Sequence, residues 1–293
     1  MSKNDNISTP NNTSRVYVLF YSFFLIPLMV TIFGVLFFFI FQFLTMEPHS
    51  PHDLLNNIKI GSASKRWQSA YHLSQILLDE ELAPSDQLFE SQLISAYKKS
   101  IHDDIKVRIY LALAMGATRN SIYGDILLEG LEDESLDSRL AAIKALGMVN
   151  YNKAIGPISN FLSKDKSDSE RLTATISLGF IDHPECDRLL ISMLSDSEPN
   201  IQWDAAIALA KRGNKAGKPV IVRLLDRKYY KSFVEVDPVE VDQAILIAVN
   251  VSSVFNDEEI IRNLKTLSST DESNLKIRNA ALESLNMINK KSL

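Results

Sequence analysis

The sequence predicts an all-α protein: an α-solenoid of about seven helix pairs, preceded by a single transmembrane helix. Three observations carry that prediction. A stretch of 29 residues near the N-terminus holds no charged side chain. Behind it, a ten-residue pattern whose ideal form is V-R-x-x-A-A-x-A-L-G recurs seven times. No stretch of the repeating part sustains the period-two alternation of a strand.

The totals fit a folded chain and narrow the chemistry. Of 293 residues, 46% are hydrophobic and 23% charged, the balance of a globular protein. One cysteine, Cys186, excludes an internal disulfide and a cysteine-based zinc cluster. The formal net charge is −5. Residues 1–45 contain Lys3, Arg15 and Asp5, so the remainder is more acidic still. A nucleic acid partner needs a basic surface to neutralise phosphates, and this composition argues against one.

In chain order, residues 1–15 are a short polar tail and residues 16–44 the transmembrane helix, "VYVLFYSFFLIPLMVTIFGVLFFFIFQFL". A bilayer core takes about 20 apolar residues. Pro27 and Gly34 are tolerated there because neighbouring groups can satisfy the freed backbone. A cleaved signal peptide has an apolar run of about 7–15 residues and a small-x-small site, so this longer run reads as a retained anchor. Lys3, Arg15 and the amino terminus precede the span. Only Lys59, beside Glu47 and Asp53, lies in the first fifteen residues after it. The positive-inside rule then puts the C-terminal domain on the non-cytoplasmic side, although Lys65 and Arg66 just beyond weaken that orientation. Residues 45–61, with Pro48 and Pro51, read as a linker. His49, His52 and Asp53 within it lack the fixed geometry of a metal site.

The repeat domain, residues 62–293, follows. Its windows begin at Lys65, Val107, Ser138, Glu170, Ile201, Val241 and Ile277, spaced 42, 31, 32, 31, 40 and 36 residues apart. Second apolar helix patterns follow the windows, as in residues 154–163, 186–195 and 216–226. Turns such as "SDSEPN" and "EDESLD" supply helix-starting Asp, Ser, Asn and Pro. Window positions 1, 5, 8 and 9 fall on one helical face and hold the recurring Ala and Leu. Gly116, Gly147 and Gly179 read as helix-ending left-handed caps.

The stretches "DSRLAAIKALG", "SDSEPNIQWDAAIALA" and "LKIRNAALESLN" resemble the HEAT-repeat family, in its short phycobilisome-lyase form, over residues 62–290. The resemblance implies a right-handed solenoid. It also implies that the position-2 arginines (Arg66, Arg108, Arg139, Arg171 and Arg278) bond acids of the inter-repeat turns, for which Asp104 and Asp137 could serve. Family members are mostly binding scaffolds. They also include bilin lyases and alkylpurine DNA glycosylases, which makes Trp203–Asp204 an enzymatic alternative.

Positions 3 and 7 of the windows, generally polar in the resembled family, are apolar here. They are Trp67/Tyr71, Ile109/Leu113, Leu140/Lys144, Leu172/Ile176 and Trp203/Ile207, before Gln243/Ile247 and Asn279/Glu283 turn polar. Stacked, they would form a ridge larger than monomers normally expose, or else pack against the second helices. The candidate partner-binding residues are therefore Trp67, Tyr71, Ile109, Leu113, Leu172, Ile176, Trp203 and Ile207. The long aromatic turn "DRKYYKSFVEVDPVEVD" (226–242) either works with the ridge or caps it. No metal, nucleotide or hydrolase motif is present, and Cys186 near His183 reads as a buried hydrophobe. The expectation is a membrane-anchored, non-enzymatic scaffold for a membrane or envelope protein, with no catalytic residue, cofactor or small-molecule substrate.

Overall fold

The computed structural model describes residues 20–45, 50–233 and 237–291. It contains two compact units, Met1–Ser50 and Pro51–Leu293. In the first, a π-helical turn, Tyr21–Leu25, leads into helix α1, Ile26–Thr45. Proline lacks an N–H, and Pro27 sits where the π turn gives way to the α-helix. The Thr31 hydroxyl donates to the Pro27 carbonyl at 2.9 Å, so the polar group is satisfied within the helix. At about 1.5 Å per residue a 20-residue helix is about 30 Å long. By length and composition, Phe23–Phe41 can cross a membrane, a test that a signal sequence also passes.

The second unit is an all-α solenoid with no strand among the described residues. The seven windows lie on α3 (Ala63–Ile76), α5 (Ile105–Ala117), α7 (Leu136–Met148), α9 (Asp168–Phe180), α11 (Pro199–Lys211), α13 (Pro238–Val251) and α15 (Leu275–Lys291). Between them run the second-row helices α4 (Gln87–Lys99), α6 (Gly124–Glu129), α8 (Ile155–Ser159), α10 (Pro184–Met193), α12 (Lys218–Leu224) and α14 (Glu258–Leu267). The turns cap them as their composition implies. Asp86, Asp104, Ser135, Asp237 and Asp257 accept backbone N–H groups, and Ser167 with Glu170 forms a capping box.

The supposed linker needs correction. Within 45–61, Pro51–Ile60 forms helix α2, with Leu54, Leu55 and Ile58 buried. Pro51 begins the helix, where a missing N–H costs nothing, and those apolar positions share one face. Helix α2 is a second-row helix lying before the first window. The pairs therefore run second-row helix first, and α15 packs on α14 without needing a following partner.

The core follows the window pattern. Position 9 is buried in Leu73, Met115, Leu146, Leu178, Leu209 and Val249, and half-buried in Leu285. The three window glycines are not left-handed caps. The positive-φ residues are Arg119 (54°), Asn150 (53°) and Gly213 (76°), each at window position 13. Gly116, Gly147 and Gly179 lie inside helices because the next window helix passes too close for a side chain. A Cβ on Gly116 would lie 2.9 Å from Ala145 Cα, one on Gly147 2.7 Å from Ser177 Cα, and one on Gly179 2.8 Å from Ala208 Cβ. Each glycine thus backs onto position 8 of the following window.

At position 13, Asn150 suits the left-handed region, and its Oδ1 accepts the Asp182 N–H at 2.8 Å. Arg119 does not suit it, and its ion pair with Glu80 is solvent-exposed, a class worth well under 1 kcal/mol. Arg119→Gly is expected to stabilise the protein by about 0.5–1 kcal/mol, read as a raised urea midpoint at unchanged slope. A lowered midpoint would show that the ion pair outweighs the backbone strain.

A forward-reaching arginine ladder joins successive units. Arg66 donates to both oxygens of Asp103 at 2.8 and 2.7 Å. Arg108 reaches Asp133 and, at 3.1 Å, the Tyr97 carbonyl. Arg139 donates to Glu170 at 2.9 Å, and Arg171 to both oxygens of Asp196 at 3.0 Å. The acids are thus Asp103 and Asp133, not Asp104 and Asp137. Asp104 is occupied capping α5, and Asp137 is exposed in the first turn of α7. The fifth and sixth windows have Gln202 and Asp242 instead of arginine. Arg227, from the long turn, supplies the guanidinium for the sixth, donating to Asp242 at 2.7 Å and to both oxygens of Glu272 at 2.8 Å. Arg278 ends the series on the carbonyls of Thr270 and Glu272.

Candidate binding face

The apolar positions 3 and 7 lie along the window helices as half-buried side chains. Trp67, Ile109, Leu113, Leu140, Leu172, Ile176, Trp203 and Ile207 are all half-buried, and Tyr71 is 41% exposed. The face is therefore neither a fully exposed ridge nor part of the sealed core. Trp67, Ile109 and Leu113 rest on the core that includes Leu73, Leu111 and Met115. Trp203 and Ile207 rest on the core that includes Ala206, Val220 and Ile245. The first two rungs are joined by side chains: the Tyr71 ring meets Tyr110 edge-on at 5.2 Å, and Lys106 Nζ sits 4.9 Å from the Trp67 ring centroid. Both are contacts of order 1 kcal/mol.

The fifth rung is covered by the chain itself. Trp203 Nε1 donates to Tyr229 Oη at 3.2 Å. The rings of Tyr229, Tyr230 and Phe233 lie edge-on to the indole at 6.2, 6.1 and 5.6 Å. Tyr230 is buried, and its hydroxyl donates to the Leu224 carbonyl at 2.9 Å. The aromatic turn thus caps the stripe at Trp203, while its residues 234–236 lie outside the described ones. The sequence held this contact only as one of two alternatives, because nothing local says which way a long turn folds.

The other chemistry-bearing residues separate in the same way. Asp204, beside Trp203, points to no hydrogen-bond donor among the described residues. Burial pushes its carboxyl up to about 6 against the pull of Lys211. Cys186 is buried, and that burial pushes its thiol up. His183 is not paired with it as a base, because its Nδ1 accepts the Glu185 N–H at 3.3 Å and caps α10. His52 pairs with Asp86 at 3.2 Å and lies edge-on to Phe89. Among the described residues no group of three or more His, Cys, Asp or Glu is placed to hold a metal.

A family model for HEAT repeats matches residues 155–232, which span α8 to the aromatic turn. Over those residues the chain carries HEAT repeats. Two Arabidopsis thaliana proteins, the 26S proteasome non-ATPase regulatory subunit 1 homologs A and B, are each 28% identical to it over 144 residues. That match covers 46% of this chain but only 14% of either relative. Among solved structures, the CpcE–CpcF complex of phycocyanin lyase from Nostoc sp. PCC7120 superposes with a TM-score of 0.53. It is 18% identical and covers 84% of this chain and 96% of that one. Human deoxyhypusine hydroxylase covers 82% and 84% at 14% identity, with a TM-score of 0.35. At 18% identity the likeness to the lyase complex is one of fold.

Proposed function

We propose that the protein is a membrane-tethered HEAT scaffold that holds a segment of a partner protein along the stripe of α3, α5, α7 and α9. The observation that carries this reading is the run of half-buried apolar side chains from Trp67 to Ile176. A segment laid there completes the burial of side chains already ordered by the core, so little further entropy is lost on binding. Helix α1 is the tether, and it raises the effective concentration of the array toward other membrane proteins. The positive-inside rule puts the array on the non-cytoplasmic side. A reporter fused at the C-terminus and active only in the cytoplasm would reverse that topology.

The binding test uses the open rungs, since Trp203 is already covered. A photo-crosslinking residue at Leu113 or Leu172, in the membrane-inserted protein, should give a discrete protein adduct. The same residue at Leu88 on α4, which is 62% exposed, should not. Ile109→Glu with Ile176→Glu should abolish the adduct, each anchor being worth about 2 kcal/mol, while the helical circular dichroism signal is kept. Equal labelling at Leu88, or unfolding of the double variant, rejects the stripe as a binding face.

One observation favours an enzyme of the lyase or glycosylase kind: the Asp204 carboxyl, next in sequence to Trp203, has no hydrogen-bond donor among the described residues and is raised by burial. Bound pigment, or base release from alkylated DNA, abolished by Asp204→Asn would favour that reading over the scaffold.

A further inference from the structure

The solenoid has an edge where each turn enters a window helix, and the charge of that edge changes sign along the chain. Up to the first window residue, residues 59–65 hold Lys59 and Lys65 and no acid, and residues 98–107 hold three lysines against two aspartates. Counted the same way, residues 130–137 carry four acids and no base, and 162–170, 195–200 and 268–276 each hold more acids than bases. The basic end is one surface, because Ile58, Lys59, Arg66, Lys99, Asp103 and Val107 line a single hollow. Arg66 ties it together, donating to Asp103 and to the Gly61 carbonyl. Lys59, Lys65 and Lys99 make no ion pair among the described residues, whereas Asp103 is neutralised by Arg66.

The same end exposes large aliphatic side chains. Ile60 is 76%, Ile101 62% and Ile105 41% exposed, each within two residues of Gly61 or Asp103. Isoleucines standing out of a lysine-rich rim are the composition of an interfacial membrane surface. With α1 as the anchor, the covalent connection limits how far this end can lie from a bilayer. From Thr45, the last residue of α1, to Pro51, the first of α2, is six residue steps, at most about 20 Å even when extended. Ile60 and Gly61 close the ten-residue α2.

We infer that this edge of the first two units docks on an anionic lipid surface, with Ile60, Ile101 and Ile105 at headgroup depth and Lys59, Lys65 and Lys99 against lipid phosphates. The inference rests on α1 being the membrane anchor. Docking fixes the first two units against the bilayer.

The test uses the full chain reconstituted in vesicles of phosphatidylcholine, with or without phosphatidylglycerol. Cys186 is fully buried, so an Ile60→Cys variant takes an environment-sensitive dye selectively, with Leu282→Cys as the distant control. The expected result is quenching of the position-60 dye by lipid-borne quenchers, stronger with phosphatidylglycerol, and none at position 282. Lys59→Glu with Lys99→Glu should weaken docking by about fivefold per lysine. No lipid quenching at position 60 overturns the inference. So does shielding from an aqueous quencher without lipid quenching, which would mean a protein or a second copy covers the edge. Alkaline carbonate extraction reads the anchor separately, and loss of the protein to the supernatant refutes the tether whatever the dye reports.

Discussion

Arg171→Ala is expected to lower the unfolding free energy by about 3–5 kcal/mol, the cost of stranding a buried charge. The side chains of Arg171 and Asp196 are only 6% and 4% exposed, and two parallel hydrogen bonds at 3.0 Å join them. Removing the cation leaves Asp196 with the N–H of Glu198, at 2.9 Å, as its remaining strong donor. The pair itself contributes little net stability, because desolvating two charges offsets most of their attraction. Arg171→Met with Asp196→Leu should therefore recover most of the loss, and a double variant no better than Arg171→Ala would reject this account.

The ladder also sets an acid limit. Burial pushes the Asp133, Glu170, Asp196, Asp242 and Glu272 carboxyls up, but the hydrogen bonds they accept outweigh it. Those bonds come first from the Ser135 N–H at Asp133, from Asn274 at Asp242 and from the arginines at the other three, and the arginine charge adds to each. Each is held below its ordinary value. In Asp103 the Arg66 hydrogen bonds lead the same depression. A carboxyl depressed in the folded state contributes stability that is full above its unfolded value, about 4. That contribution is lost as pH falls through the lower folded value. Burial pushes the Asp204 carboxyl up to about 6, so urea midpoints should decline as pH rises from about 4 through 6. The ladder acids should make them fall steeply below about pH 4. Arg171→Ala should flatten part of that slope.

Gly147→Val is expected to cost about 3 kcal/mol or more, and Gly147→Ala less, since alanine recovers some helix propensity. The cause is the approach of α9. Its Ser177 Cα, Cβ and carbonyl oxygen lie 2.7, 2.9 and 2.9 Å from where a Cβ would stand, and backbone atoms cannot turn aside as a side-chain tip can. Gly156 has nothing within 4 Å of a built Cβ, so Gly156→Ala should leave the thermal midpoint unchanged or raised. Equal losses at the two glycines would show that the α7–α9 approach does not govern position 10.

Ile201, Ala205, Ala208 and Leu209 were legible as core because their identities recur at a fixed helical spacing, and each is buried. The seven windows and the caps in the turns were legible for the same reason, whereas the bonding of the arginines to turn acids was implied only by the family resemblance. Repetition exposes whatever every unit must do alike. The glycines were legible as special but were given the wrong role. A left-handed cap and a close helix crossing both demand glycine, and only the neighbouring helix distinguishes them. Proline misled in the same way at residue 51, since the ring that breaks a helix interior also begins a helix well.

The sequence alone determined a repeated helical array behind one long apolar helix, because hydrophobic period and spacing are local properties carried by each unit. Tertiary structure decided which acid answers each arginine, that Arg227 supplies the guanidinium where the sixth window has Asp242, and that Tyr229, Tyr230 and Phe233 fold over Trp203. It also left the stripe from Trp67 to Ile176 half-buried. These depend on side chains brought together across units, 15 to 45 residues apart for the ladder's side-chain pairs and Trp203's hydrogen bond. No local period encodes such distances.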